Sequence, residues 1–143
     1  MNTHVKSEIS TLIEHWQQAV MAKNIERIVS FYADDIVSFD AVGALQIKGK
    51  AAYRAHWEEC MKVCPGPGIF EFHQLHIVPA ADSAFAFWLA RCGGAGPDGV
   101  VKACWMRVTA GYLRLNGQWQ VVHEHWSAPF DMETGTTLFE LEP

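Results

Sequence analysis

The stretch Leu113–Phe130, LRLNGQWQVVHEHWSAPF, decides how the chain is read. Both residues of Asn116-Gly117 tolerate positive φ, so the pair predicts a tight hairpin turn. The flanking segments VVKACWMRVTAGYLRL and QWQVVHEHWS then become two long antiparallel strands. Alternate side chains of a strand share a face. Glu124 and Trp126 therefore point one way, and His123, His125 and Ser127 the other.

Upstream, IFEFHQLHIV alternates and SAFAFWLARC is nearly continuous apolar, so both read as strands, with GGAGPDG a plain turn. The N-terminal half has a different period. Ile9, Leu12, Ile13, Trp16 and Val20 fall at spacings of three and four between Val5 and Ala22, one stripe of an amphipathic helix. Asn24 offers an N-cap for a short second helix carrying Ile25, Ile28, Val29 and Tyr32. DDIVSFDAVGALQIKG reads as a short strand pair broken by Gly43. KAAYRAHWEECMKV is a third helix, ended by CPGPG. Helices followed by long hairpin-linked strands predict an α+β domain: a curved, cone-shaped antiparallel sheet with three helices on its concave face. Residues 1–143 form a single domain on this reading, with 131–143 a weakly patterned C-terminal tail.

Composition narrows the function. A net charge of -5 without a basic run argues against a nucleic-acid surface. No apolar run reaches the roughly 18 residues of a membrane span, and MNTHVKSEIS lacks a signal-peptide layout. A cytoplasmic protein is expected. Cys60, Cys64, Cys92 and Cys104 give no zinc spacing and read as reduced, mostly buried thiols. His123 and His125 are too few to hold a metal. A third ligand would come from His73 or His76, which EFHQLH puts on opposite faces, so no metal site is expected. With no phosphate loop, nucleophile elbow or dinucleotide fingerprint, cofactor-free chemistry is expected.

The runs AVMAKNIERIVSFYADDIVSFDAVG, IKGKAAYRAHW, DSAFAFWLAR and LRLNGQWQVVHEHWSAPF resemble the nuclear-transport-factor-2-like superfamily. More narrowly they resemble its SnoaL-like, ketosteroid-isomerase-related branch, from Val5 to Phe130. The ending GQWQVVHEHWSAPF is also similar to that of the calcium/calmodulin-dependent kinase association domain, which has no catalytic role. The resemblance implies a small-molecule ligand in a conical pocket, and it matches Asp40 to the catalytic base of ketosteroid isomerases. A carboxylate in an apolar cleft can take up and return a carbon-bound proton. The alternative for Asp40 is a turn residue bonding its own backbone.

The isomerases' two oxyanion donors match Trp16 and Gly111. Such donors are worth about 3 kcal/mol each, so efficient steroid isomerisation is not expected. Tyr32, His56 and Trp57 match pocket-side positions, with His56 the best alternative donor; the other reading of His56 is a surface or core histidine. The resemblance also places Glu124 and Trp126 in the cavity. Glu124 would be a second acid/base group or the binder of a ligand hydroxyl, and Trp16, Trp57 and Trp126 would suit a flat apolar ligand. Superfamily members hold carboxylate ligands with a cavity arginine, a role open to Arg91 or Arg107, and Arg107 is kept as a ligand-binding candidate; exposed strand charge is the alternative. His123, His125 and Ser127 would lie on the convex face, where a second subunit packs in relatives, so a homodimer is expected. The resulting expectation is a protein that binds a small, largely apolar ligand, with Asp40 the base for isomerase, cyclase or lyase chemistry. The alternative is a non-catalytic binding or oligomerisation module.

Overall fold

The computed structural model describes residues 2–143. Three helices come first: α1 (Asn2–Met21), α2 (Ile25–Ser30) and, after two strands, α3 (Lys50–Val63). The strands are β1 (Tyr32–Phe39), β2 (Ile47–Lys48), β3 (Gly68–Pro79), β4 (Ser83–Ala95), β5 (Val101–Leu115) and β6 (Gln118–Ser127). They form one sheet in the order β2-β1-β6-β5-β4-β3. Every pairing is antiparallel except β1 with β6, which is parallel. The fold is thus the expected α+β arrangement, with one parallel junction that hairpin reasoning did not supply.

Local chemistry sets the breaks. The Asn24 side chain caps α2 by accepting from the Arg27 N–H at 3.1 Å. Asn116 and Gly117 have φ of 52° and 78°, the two left-handed residues that the β5–β6 turn needs. Tyr32, expected in the second helical stripe, instead opens β1. Helix α2 stops at Ser30, and the Val121 N–H bonds the Phe31 carbonyl at 2.9 Å, drawing the chain onto β6.

The inner face of β4 carries Ala84, Ala86, Trp88 and Ala90, all buried, while Phe85 and Phe87 face outward. On β5, Val108, Ala110 and Tyr112 are the buried inward positions. These small inward residues leave room for aromatic rings from elsewhere. Trp16 of α1 occupies the centre, with ring centroids 5.4 Å from Phe70, 5.8 Å from Phe72 and 6.2 Å from each of Trp57, Trp88 and Trp126. Residues 131–143 turn back on the sheet. Phe130 bridges Thr137, Leu138 N–H donates to the Pro129 carbonyl at 2.8 Å, and Leu138 and Leu141 border Trp105 and Arg107.

Two irregularities change which face residues occupy. A bulge separates His73, paired with Leu89, from His76, paired with Phe87. Gln74, at φ 56°, absorbs the extra residue. Leu89 and Phe87 are two apart on one strand, so His73 and His76 share the outer face rather than lying on opposite faces. Gly111 also belongs to the outer face, because it pairs with Phe85 and His123.

Close strand packing depends on Gly93. A Cβ there would lie 1.9 Å from the Lys102 carbonyl oxygen and 2.7 Å from Ala103 Cα. Gly93→Ala is expected to destabilise the protein by at least about 2 kcal/mol in urea unfolding. Gly117→Ala, strained in φ but in open space, is expected to cost about 1 kcal/mol.

Candidate functional site

A buried acid lies at the base of the sheet. Glu124, 2% exposed, sits opposite Ser38 across the β1–β6 pair and opposite Ala110 on β5. Tyr53 of α3 donates its hydroxyl to Glu124 Oε2 at 2.7 Å, and Tyr32 lies 3.5 Å from Oε1. The Tyr32 hydroxyl in turn accepts the indole N–H of Trp16 at 3.0 Å and of Trp57 at 3.1 Å. Four elements therefore meet in one network. Trp16, Tyr32, Trp57 and Glu124 do gather, as expected, but as a packed and bonded interior rather than as the walls of an empty cone.

Burial raises the Glu124 carboxyl to about 7, opposed by the Tyr53 and Tyr32 hydrogen bonds and aided by the negative charge of Asp40. Burial first, and then Glu124, pushes the Tyr32 and Tyr53 phenols well above their ordinary value, so both remain donors. The Ser38 hydroxyl is fully buried beside this group, opposite Glu124.

Asp40 is the first residue after β1, and two contacts converge on its Oδ2. His56 Nε2 of α3 is 2.8 Å away and the Val42 N–H 3.1 Å away. Asp40 thus closes a turn on its own loop, and the same oxygen also pairs with a histidine. The side chains are 15% and 18% exposed. The Cys60 thiol lies 3.5 Å from the same His56 nitrogen, and burial first, then Asp40, raises its titration.

Two cavities flank this pair. The larger, about 750 Å³, lies at the end of β1 and is lined by Phe39, Asp40, loop residues Gly43–Gln46, His125 and Trp126. The smaller, about 200 Å³, is bounded by Val20, Met21, Trp57, Cys60, Met61, Cys64, Phe70 and Cys92. The four cysteines are free and half-buried. Burial pushes the Cys92 thiol up to about 12, which makes it an apolar lining group rather than a nucleophile.

Other candidates lie elsewhere. Arg107, placed in the cavity as a ligand holder, is on the outer face, where its Nε donates to Ser127 Oγ at 3.1 Å. Arg91 pairs with Glu71 at 3.1 Å, directly across from it on β3. Gly111 cannot mark a pocket position, since a side chain there would meet His123 on the outer face. His123 Nδ1–H donates to the Val37 carbonyl at 2.6 Å. His125 packs on Phe39 and reaches the rim of the larger cavity. No group of three or more His, Cys, Asp or Glu among the described residues is placed to hold a metal ion. No helix is long and apolar enough to cross a membrane.

Sequence reasoning missed Tyr53, the shortest contact to Glu124. Its signal was the helical spacing Tyr53, Trp57, Cys60, which puts a phenol on the inward stripe of α3.

The pH dependence of stability tests Glu124. A carboxyl raised in the folded state contributes stability that is complete below its ordinary value near 4.5 and is lost as pH rises through about 7. Glu8 and Glu26 are lowered, by the Trp119 and Arg54 hydrogen bonds respectively, so they act with the opposite sign and below this window. Between pH 5 and 8 the wild type is expected to lose on the order of 3 kcal/mol relative to Glu124→Gln in urea unfolding. Parallel pH profiles would show that Glu124 is not raised.

Comparison with known proteins agrees with this architecture. Residues 9–131 match the SnoaL-like domain, so the chain belongs to the SnoaL-like family. It is 57% identical to an NTF2-like protein of unknown function from Pseudomonas putida KT2440, covering 100% of this chain and 99% of that one with a TM-score of 0.93. More distant solved structures share the fold. A provisionally named dehydratase of the NTF2-like family from Streptomyces avermitilis is 12% identical, with 89% and 97% of the two chains covered and a TM-score of 0.79. A ketosteroid isomerase-like protein from Erwinia carotovora atroseptica is 18% identical, with 89% and 97% covered and a TM-score of 0.75. No functionally curated protein matches the chain.

Proposed function

We propose that this SnoaL-like protein binds a small, largely apolar organic molecule in the cavity at the end of β1, and that Asp40 moves a proton on it without a cofactor. The observation that carries the reading is the Asp40–His56 pair at the rim of that cavity. Its volume of about 750 Å³ suits a small organic ligand. His56 and the Val42 N–H hold one carboxylate oxygen, which fixes the plane of the base. Glu124, raised by burial and closed off behind Tyr32 and Tyr53, lines neither cavity, so the two carboxyls have separate environments and the proton transfer falls to Asp40. A base that takes a carbon-bound proton and returns it elsewhere on the molecule gives an isomerase; loss of a leaving group after proton removal gives a lyase.

Proton transfer at carbon can be tested before the natural ligand is known. The probe is 2-tetralone, a flat apolar ketone with acidic C–H bonds, in D2O. The wild type is expected to accelerate deuterium exchange next to the carbonyl, followed by NMR, and Asp40→Asn to lower that rate at least about 100-fold. Binding without accelerated exchange would favour the second reading, a non-catalytic binding module, to which the aromatic-filled interior lends support.

The same reading includes a homodimer through the outer sheet face. Val78, Phe85, Phe87 and Leu113 are exposed there, and Val78 pairs with Phe85 in register. Sedimentation is expected to give a dimer for the wild type and a folded monomer for Phe87→Glu; a wild-type monomer would overturn it.

A further inference from the structure

Strand register lines up two rows of side chains on the outer sheet face. Phe39, His125, Thr109, Phe87 and His76 are successive partners from β1 to β3. Val37, His123, Gly111, Phe85 and Val78 form the next row. The chain has 16 acidic and 11 basic residues, yet none stands in either row. Charge returns one row further on with Arg107, and beyond it with the Arg91–Glu71 pair. The C-terminal tail covers part of that charged side, where Leu138 and Leu141 border Trp105 and Arg107. The two uncharged rows are left bare, with Phe39, Phe87, Val78 and Phe85 each 39–46% exposed.

A sheet face turned to water ordinarily carries polar and charged side chains. Loss of charge together with exposed aromatic rings is the composition of an interface core. The occupant this face suits is a second copy of the chain. Meeting itself, an uncharged face brings no like charges together, whereas approach through the charged faces of a chain of net charge -5 does. Gly111 adds a recess between Phe85 and His123, since nothing lies nearer than 3.8 Å to where its Cβ would be.

The first row runs into the larger cavity. Phe39 and His125 belong both to the row and to the cavity lining. The loop after Asp40 continues the apolar surface with exposed Val42 and with Leu45, which borders the cavity and leaves 93% of its surface in solvent.

We infer that the second copy, packed on these two rows, also walls the open side of the cavity at the end of β1 and buries Leu45, so that the ligand site is complete only in the dimer. The inference rests on the dimer and ligand readings above and supplies the link between them. A ligand held partly by the second copy binds the dimer more tightly than a monomer, and by the same factor it tightens the dimer.

Leu45→Asp tests the covered mouth without any ligand. Sedimentation over a concentration series is expected to show its dimer affinity lowered at least about tenfold. In the monomeric Phe87→Glu background the same substitution faces solvent and should leave urea unfolding unchanged. Val63→Asp, also at an exposed apolar position but at the end of α3 on the inner side of the sheet, should leave the dimer intact. 2-Tetralone is expected to bind the wild-type dimer at least about tenfold more tightly than the folded Phe87→Glu monomer, although Phe87 does not line the cavity.

A wild-type dimer indifferent to Leu45→Asp overturns the inference and spares the dimer. Equal 2-tetralone affinity in dimer and monomer overturns it and spares the ligand reading. Tetralone that binds neither form sinks the ligand reading, and the completed site with it. A wild type that stays monomeric at every concentration leaves the face to another partner and overturns inference and dimer together.

Discussion

Two indole N–H groups converge on one phenol oxygen, and the rest of the structure is arranged around that point. The Tyr32 hydroxyl accepts from Trp16 of α1 and Trp57 of α3. That spends its two lone pairs and aims its own proton at Glu124 of β6. A carboxyl buried in an aromatic interior is tolerated only when its oxygens find donors. Tyr32 supplies one and Tyr53 the other, so Glu124 can sit opposite Ala110 and Ser38 where an apolar residue would be expected. The network also fixes the two helices against the sheet, since neither Trp can turn without orphaning an N–H.

Filling the interior has a consequence for where a ligand can go. Small residues on the inner faces of β4 and β5 make room, and Trp16, Phe70, Phe72, Trp88 and Trp126 occupy it. The space that remains lies at the margins, beside α3 and at the end of β1. Asp40 sits at the second of these margins, where β1 ends and β6 runs on past it to Ser127. The residue follows directly on a paired strand, and a helix-borne histidine and the Val42 N–H hold its carboxylate. Loop residue Leu45, 93% exposed, borders the same cavity, giving it an apolar rim in solvent.

What could be read from the sequence follows the distance over which each signal acts. The Asn116-Gly117 hairpin, the α1 stripe and the Asn24 cap depend on neighbours within four residues, and they stand as read. Facing fails where a bulge intervenes, because one inserted residue reverses every later side chain. The Gln74 bulge moved His76 to the face of His73. The irregularity between Gly111 and Tyr112 hid the outward facing of Gly111. SAFAFWLARC is apolar on both faces, so alternation could not tell that the alanines point inward and the phenylalanines outward. Tyr53 escaped notice for a different reason. Its partner is 71 residues away, and no local pattern distinguishes a core phenol from one that donates to a buried acid.

The same reasoning explains why Asp40 lies at a cavity rim and why Arg107 misses it. Asp40 follows a strand whose end is fixed by pairing with both β2 and β6, so its place is set by the sheet. Arg107 lies in β5, where facing depends on strand parity, and its pairing with Leu89 and Ser127 sends it outward. The oxyanion donors follow suit: position 111 is turned away, and the Trp16 indole is committed to Tyr32. A superfold fixes its sheet far more tightly than the side chains set upon it.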